Sequence, residues 1–311
     1  MTRALTDIEL LRELEPVAED NVNRHLSMAK DWHPHDFVPW DDGRNFAALG
    51  GVDWDPEQSA LGETAKAAMI TNLLTEDNLP SYHREIAEHF GFDGAWGTWV
   101  GRWTAEENKH SIVMRDYLVV TRGVDPVALE NARMEHMTNG FAPGATSMLD
   151  SVSYVTFQEL ATRVSHRNTG KACGDPIADR MLARVAADEN LHMMFYRNIV
   201  EGALDIAPDQ ALEAVVRSSP TSGCRARRWR TSGATRCSSP RAESTICVSI
   251  STRSCSRCCA SGGSSNAPTS VRAARNCVSS STRSWWISRI GRRGSRNPAT
   301  ARSHGRPGAV R

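Results

Sequence analysis

From residue 217 onward the chain has no lysine, no aspartate and a single glutamate, Glu243, beside 19 arginines. Residues 1–216 show the opposite bias, with 18 basic and 35 acidic side chains. The formal net charge of +1 therefore conceals a body at −17 and a tail at +18, compositions that do not serve one fold. Cysteine is nearly missing from the body, where Cys173 stands alone. That excludes a disulfide framework and points to a reducing, cytoplasmic setting. The tail's Cys255-x-x-Cys258-Cys259 lacks a second Cys or His pair at finger spacing, which argues against a zinc site. No stretch approaches the roughly 20 apolar residues that span a bilayer. The first residues, Met1 to Leu11, carry acids in place of the apolar segment of a secretory signal. Alternating β-branched runs are absent from the body, so a sheet is not expected.

What remains is helical periodicity. Leu10, Leu11, Leu14, Val17, Val22 and Leu26 recur at helical spacing and predict a helix over 8–26. A loop follows at 32–40, which contains two prolines. Residues 59–90 read as a long helical stretch broken near Asn78-Leu79-Pro80. Residues 91–97 read as a turn, 99–120 as a helix closed by Arg122-Gly123, and 126–136 as a short helix with proline in its first turn. Helices over 148–165 and 176–204 follow, the second capped by Asp175, and Ala207-Pro208-Asp209 opens another. From about residue 217 no amphipathic face persists, and Ser, Arg, Gly, Pro and Thr dominate an irregular, disordered tail.

Two matching tetrads carry the chemistry: Glu107-Asn-Lys-His110 and Glu189-Asn-Leu-His192. Residues i and i+3 share a helix face, so a carboxylate and an imidazole reach one cation together. One such tetrad is common by chance and reads as an exposed charged pair. Here each has a further acid at nearly the same distance upstream. Glu76 precedes Glu107 by 31 residues, and Glu159 precedes Glu189 by 30. About 15 residues out and back, at about 1.5 Å each, return an antiparallel helix pair to the same level. Four helices would then supply two single glutamates and two Glu-x-x-His sets, the pattern of di-iron carboxylate bundles. Hard carboxylates with borderline imidazoles suit iron. Other acids, Glu88, Glu106, Glu130, Glu135 and Glu201, read as surface charges.

Several runs resemble the soluble acyl-carrier-protein desaturases, above all their mycobacterial branch. They are Thr75-Glu-Asp-Asn-Leu-Pro-Ser-Tyr-His83, Arg102-Trp-Thr-Ala-Glu-Glu-Asn-Lys-His110, Phe157-Gln-Glu-Leu-Ala-Thr162, Ser165-His-Arg-Asn-Thr169 and Ala187-Asp-Glu-Asn-Leu-His192. The resemblance covers about residues 5–216. It implies an all-α, ferritin-like di-iron four-helix bundle with flanking helices over 1–216. Glu76, Glu107, His110, Glu159, Glu189 and His192 match the ligands of two irons. Thr162 matches a hydroxyl beside the oxygen site. Asp188 and Trp32 match an electron route to the irons, although Trp32 also reads as simple core. The family reaction is the O2-dependent removal of two hydrogens from a saturated acyl chain in fatty acid biosynthesis. The chain is carried by acyl carrier protein and the electrons come from a ferredoxin-type donor. A homodimer in the cytoplasm is implied too. Another ferritin-like oxidase or iron store, and an inactive product of gene decay, remain as alternatives.

Two departures from the family pattern stand out. The segment between Gly140 and Asp150 is short, which would trim the start of the helix bearing Glu159. The tail does not resemble the family at all. Written in permissible codons and read two bases on, residues 242–254 give GVYDLRQHLDEV, a peptide like the family's last helices. A reading-frame slip near 217–221 would account for the arginine, serine, cysteine and tryptophan and for the missing acids. The arginines and Trp229, Trp285 and Trp286 would give non-specific contacts with nucleic acid, without an evolved role there.

Overall fold

The computed structural model describes residues 3–141 and 144–219. The tail expected to be irregular lies, beyond residue 219, outside the described residues. Eight α-helices make up the described part, with no strand among those residues. They are α1 (Asp7–Met28), α2 (Glu63–Asp77), α3 (Leu79–Phe90), α4 (Gly94–Val120), α5 (Pro126–Asn139), α6 (Met148–Cys173), α7 (Pro176–Ile206) and α8 (Pro208–Ser218). The expected all-α architecture is present.

Local chemistry sets most boundaries. Thr6 and Glu9 form a reciprocal capping box at the start of α1. Asp175 accepts the Ile177 N–H at 2.9 Å and opens α7, with Pro176 just inside it. Ser147 caps α6, which runs about three turns before reaching Glu159. The α2–α3 break falls at Asn78, because Pro80 in the next turn has no N–H for the α2 ladder.

The two largest departures from the expected boundaries are at glycines, beside smaller ones at the start of α2 (Glu63 for 59) and the end of α5 (Asn139 for 136). The turn expected over 91–97 is only 91–93, and α4 begins at Gly94. A Cβ at Gly97 would lie 2.1 Å from the Phe92 carbonyl carbon, so glycine there permits the tight approach that starts the helix early. Helix α6 was expected to end at Ser165 and continues to Cys173, where Gly174 stops it at φ +65°. Asn168-Thr169-Gly170 is therefore helical. A Cβ at Gly170 would come within 3.1 Å of the Asp179 Cα, so glycine here lets α7 pass close to α6.

The apolar residues form two separate clusters. One holds Leu14, Phe90, Trp99, Val152, Phe195 and Ile199; the other holds Met69, Leu73, Val113, Tyr117, Met181 and Val185. Helix α4 passes from the first cluster to the second, and so does α6. Helix α7 runs the other way, as does α2 continued by α3. The four therefore form an antiparallel bundle with an apolar cluster at each end. Every bundle helix crosses the gap between the clusters, and the residues in that gap are polar. Helix α1 lies along the first cluster, and the segment after it places Trp32 in the second. Helix α8 closes over the start of α6, where Arg217 Nε donates to Asp150 Oδ1 at 2.9 Å.

The close passage at Gly170 is testable. Gly170→Val adds a β-branched side chain where backbone already fills the space, and is expected to cost about 1–3 kcal/mol. Chemical denaturation monitored by circular dichroism reads this directly. An unchanged midpoint would show that the helices separate freely there.

Candidate metal centre

Six side chains singled out by spacing meet in the polar gap. Glu76 is in the last turn of α2, Glu107 and His110 are in mid-α4, Glu159 is on α6, and Glu189 and His192 are in mid-α7. All are buried, and both imidazoles have zero exposure. The i, i+3 spacing puts each Glu and His on one face. Opposite chain directions bring the two pairs level.

They form two overlapping clusters whose donor atoms lie within 4.8 Å of one another. One cluster is Glu76, Glu107, His110 and Glu189; the other is Glu107, Glu159, Glu189 and His192. Glu107 turns one oxygen to each: Oε2 is 3.2 Å from His110 Nδ1 and Oε1 is 2.8 Å from His192 Nδ1. His110 Nδ1 also faces Glu189 Oε1 at 3.3 Å and Glu76 Oε2 at 3.5 Å. His192 Nδ1 faces Glu159 Oε2 at 3.7 Å. Despite these approaches, Glu107 Oε1, Glu159 Oε2, Glu189 Oε1 and both Nδ1 atoms make no hydrogen bond. Close but misaligned donors and acceptors are what converge on a shared third atom rather than on each other.

The outer faces of the two imidazoles are cross-braced. His192, on α7, directs Nε2 at Glu106 Oε2 on α4, 2.9 Å away. His110, on α4, faces Asp188 Oδ2 on α7 at 3.6 Å, longer than a hydrogen bond. Each bracing acid precedes a cluster glutamate by one residue and is paired with an arginine four residues earlier, Arg102 or Arg184. Each also receives one more N–H. Trp32 Nε1 donates to Asp188 at 2.7 Å, and His25 Nε2 meets Glu106 at 2.8 Å. Trp32 is thus both packed in a core and bonded to Asp188. Thr162 Oγ1 donates to Glu189 Oε2 at 2.9 Å while also reaching its own helix's carbonyls.

Glu106 corrects the sequence reading. It was expected on the surface and is 5% exposed, in contact with two imidazoles and Arg102. Its position relative to Glu107 repeats that of Asp188 to Glu189, and this repeat was available in the sequence. His25 and His166 were not singled out either. His166 Nε2 lies 2.9 Å from Glu76 Oε1. No repeat marks these two histidines.

The electrostatics call for cations. Burial pushes the Glu159 carboxyl well above its ordinary range, and the neighbouring Glu189 and Glu107 push it further. Burial works against Glu106 too, yet the N–H groups of His192 and His25 hold it well below the usual carboxylate range. With Arg102 and Arg184 balancing Glu106 and Asp188, four carboxylates remain in one dry layer. Four anions and two imidazole Nδ1 lone pairs fit two divalent cations.

The profile of the fatty acid desaturase family matches residues 6–218. The chain belongs to the acyl-carrier-protein desaturase family. It is 62% identical over 223 residues to the acyl-[acyl-carrier-protein] desaturase DesA1 of Mycobacterium tuberculosis, covering 69% of this chain and 66% of that one. With DesA2 of the same organism it shares 44% over 206 residues, covering 66% of this chain and 75% of DesA2. With stearoyl-[acyl-carrier-protein] 9-desaturase 6 of Arabidopsis thaliana the figures are 32%, 67% and 56%. The match thus spans about two thirds of DesA1 and just over half of the plant desaturase. The X-ray structure of DesA2 superposes with a TM-score of 0.56 at 39% identity, covering 67% of this chain and 76% of DesA2.

Raised carboxyl pKa values in the metal-free chain fix the sign of one pH effect. Glu159 and Glu107 hold protons more tightly than free glutamate, so an arriving cation displaces them. Metal affinity is expected to rise with pH, with net proton release near neutrality. Titration calorimetry in buffers of different ionisation enthalpy measures both. Affinity independent of pH, with no proton released, would contradict the arrangement.

Proposed function

We propose that this chain is a di-iron acyl-acyl-carrier-protein desaturase. Support comes from the two four-residue clusters sharing Glu107 and Glu189, in a chain whose relatives are named acyl-carrier-protein desaturases. Glu76 and His110 would hold one iron, Glu159 and His192 the other, with Glu107 and Glu189 common to both. Two irons bound there supply the activation of O2 and the oxidising power to break two C–H bonds. Written in balance, a saturated acyl segment, O2, two electrons and two protons give an alkene and two waters.

The protein's own groups have separable tasks. The apolar clusters on either side exclude water from the polar gap. The Glu106 and Asp188 braces orient His192 and His110 so that Nδ1 faces inward, as outer carboxylates do for imidazole ligands. Thr162 holds a hydroxyl proton 2.9 Å from Glu189. Trp32, on Asp188, lines the way in for electrons from a ferredoxin-type donor. The substrate is a saturated acyl chain on acyl carrier protein, and the working unit is a homodimer in the cytoplasm. No helix among the described residues is long and apolar enough to cross a membrane.

The full chain, loaded with ferrous iron, is tested with saturated acyl-carrier-protein thioesters, ferredoxin, its reductase and O2. Mass spectrometry should find product lighter by two hydrogens, and Glu107→Ala should lose both product and metal. Iron taken up far beyond two ions per chain without desaturation would favour an iron store and defeat the proposal.

One observation favours a second reading for this particular chain. The family match ends at residue 218, after which Glu243 is the single acidic residue and arginine takes over. We propose that the reading frame slips there and that residues after it replace helices which cover the bundle in relatives. Activity would then fall or vanish while the metal centre persists. Sequencing the gene is expected to show codons that restore family-like helices two bases on. An uninterrupted frame with incompatible codons would rule out the slip.

A further inference from the structure

His166 lies one turn beyond Thr162 on α6, is 1% exposed, and belongs to neither cluster of candidate ligands. Its Nε2 is 2.9 Å from Glu76 Oε1 and 3.6 Å from Glu189 Oε1. Its Nδ1 is 3.2 Å from Asn72 Nδ2. Asn72 sits one turn before Glu76 on α2 and is itself anchored, by Ser165 Oγ at 2.7 Å and by Thr169 Oγ1 at 3.2 Å. Two of these groups, His166 and Thr169, come from the part of α6 beyond Ser165, where the sequence reading ended the helix.

The two oxygens of Glu76 are thereby assigned. An acceptor-only carboxylate facing a ring nitrogen at 2.9 Å requires an N–H on that nitrogen, so Oε1 accepts from His166. This holds for either orientation of the Asn72 amide, because Ser165 and Thr169 hydroxyls turn to suit both. Oε2 is left facing His110 and the interior of the cluster. Glu159 shows the same division by different means: Trp103 Nε1 donates to Oε1 at 3.1 Å, and Oε2 has no hydrogen bond. An indole is a fixed donor with a single N–H. The imidazole needs a partner at its far nitrogen to hold its orientation, and Asn72 is that partner.

We propose that His166, backed by Asn72, is the positioning residue that restricts Glu76 to one ligating oxygen, and that it governs the metal position on the Glu76 side alone. The inference rests on the two-metal reading above. The bland alternative is a core histidine whose bonds are merely satisfied. That alternative predicts no difference between the two metal positions.

Anaerobic titration of the full chain with cobalt(II), followed by its visible absorption, resolves the two binding steps. Iron-57 Mössbauer spectra of the ferrous form give an independent view of each position. His166→Phe is expected to weaken one step about 10–100-fold and leave the other unchanged. His166→Gln keeps an N–H near the same point and should restore that step, with one iron signal altered in the Phe variant and not in the Gln variant. Should His166→Phe fail to fold, Asn72→Ala leaves the imidazole in place but unbacked and is expected to weaken the same step by a smaller factor. Equal loss in both steps, no loss in either, or a Gln variant no better than Phe would each overturn the proposal. A wild-type chain that binds no pair of ions would remove the two-metal reading itself.

Discussion

Four carboxylates cannot stay ionised together in a dry protein interior without cations among them. The described structure is arranged around that constraint. The bundle is apolar at both ends and polar in the middle, and each bundle helix carries its acids where it crosses the middle. A single charge in such surroundings shifts its pKa or takes a partner. Here the outer acids have arginines and imidazoles, and the inner four have only one another, ring nitrogens, His166, Trp103 and Thr162. Unassisted, the layer would oppose folding. Two divalent cations would neutralise it and tie α2, α4, α6 and α7 together.

The parts legible in the sequence were those that repeat. Glu-x-x-His appears twice, each with a glutamate about 30 residues earlier, and helical geometry turns that spacing into one shared level. Helix existence was legible from apolar periodicity, and the break at Asn78 from Pro80. Boundaries failed where glycine served packing rather than punctuation. Gly97 and Gly170 look like helix breakers in a string of letters, yet each is where another segment approaches too closely for a Cβ. Ending α6 at Ser165 hid the fact that His166 and Thr169 share the centre's level. Glu106 was misplaced because a lone acid beside a ligand reads as surface. A longer motif was present, in which an arginine, four residues on an acid, then Glu-x-x-His, occurs in both α4 and α7. Only the crossing of the helices showed what the first two members do.

That crossing also links the two long helices through both imidazoles. Each long helix supplies a glutamate and a histidine to the inner clusters and an acid that faces the other helix's imidazole. A change in any one of Arg102, Glu106, Arg184 or Asp188 disturbs a ring on the opposite helix. Helices α4 and α7 therefore do not slide past each other without disturbing both rings.

The end of α2 sets Glu76 apart from its companions. Glu107, Glu159 and Glu189 sit in mid-helix, where the backbone is electrically near neutral. Glu76 occupies the final turn, with Asn78 already outside it. The negative end of the helix dipole lies there, disfavouring an anion by about 0.3–1 kcal/mol. Glu76 is also the one of the four with a break in the helix directly behind it, so its corner of the centre hangs on the joint between α2 and α3 rather than on the middle of a helix.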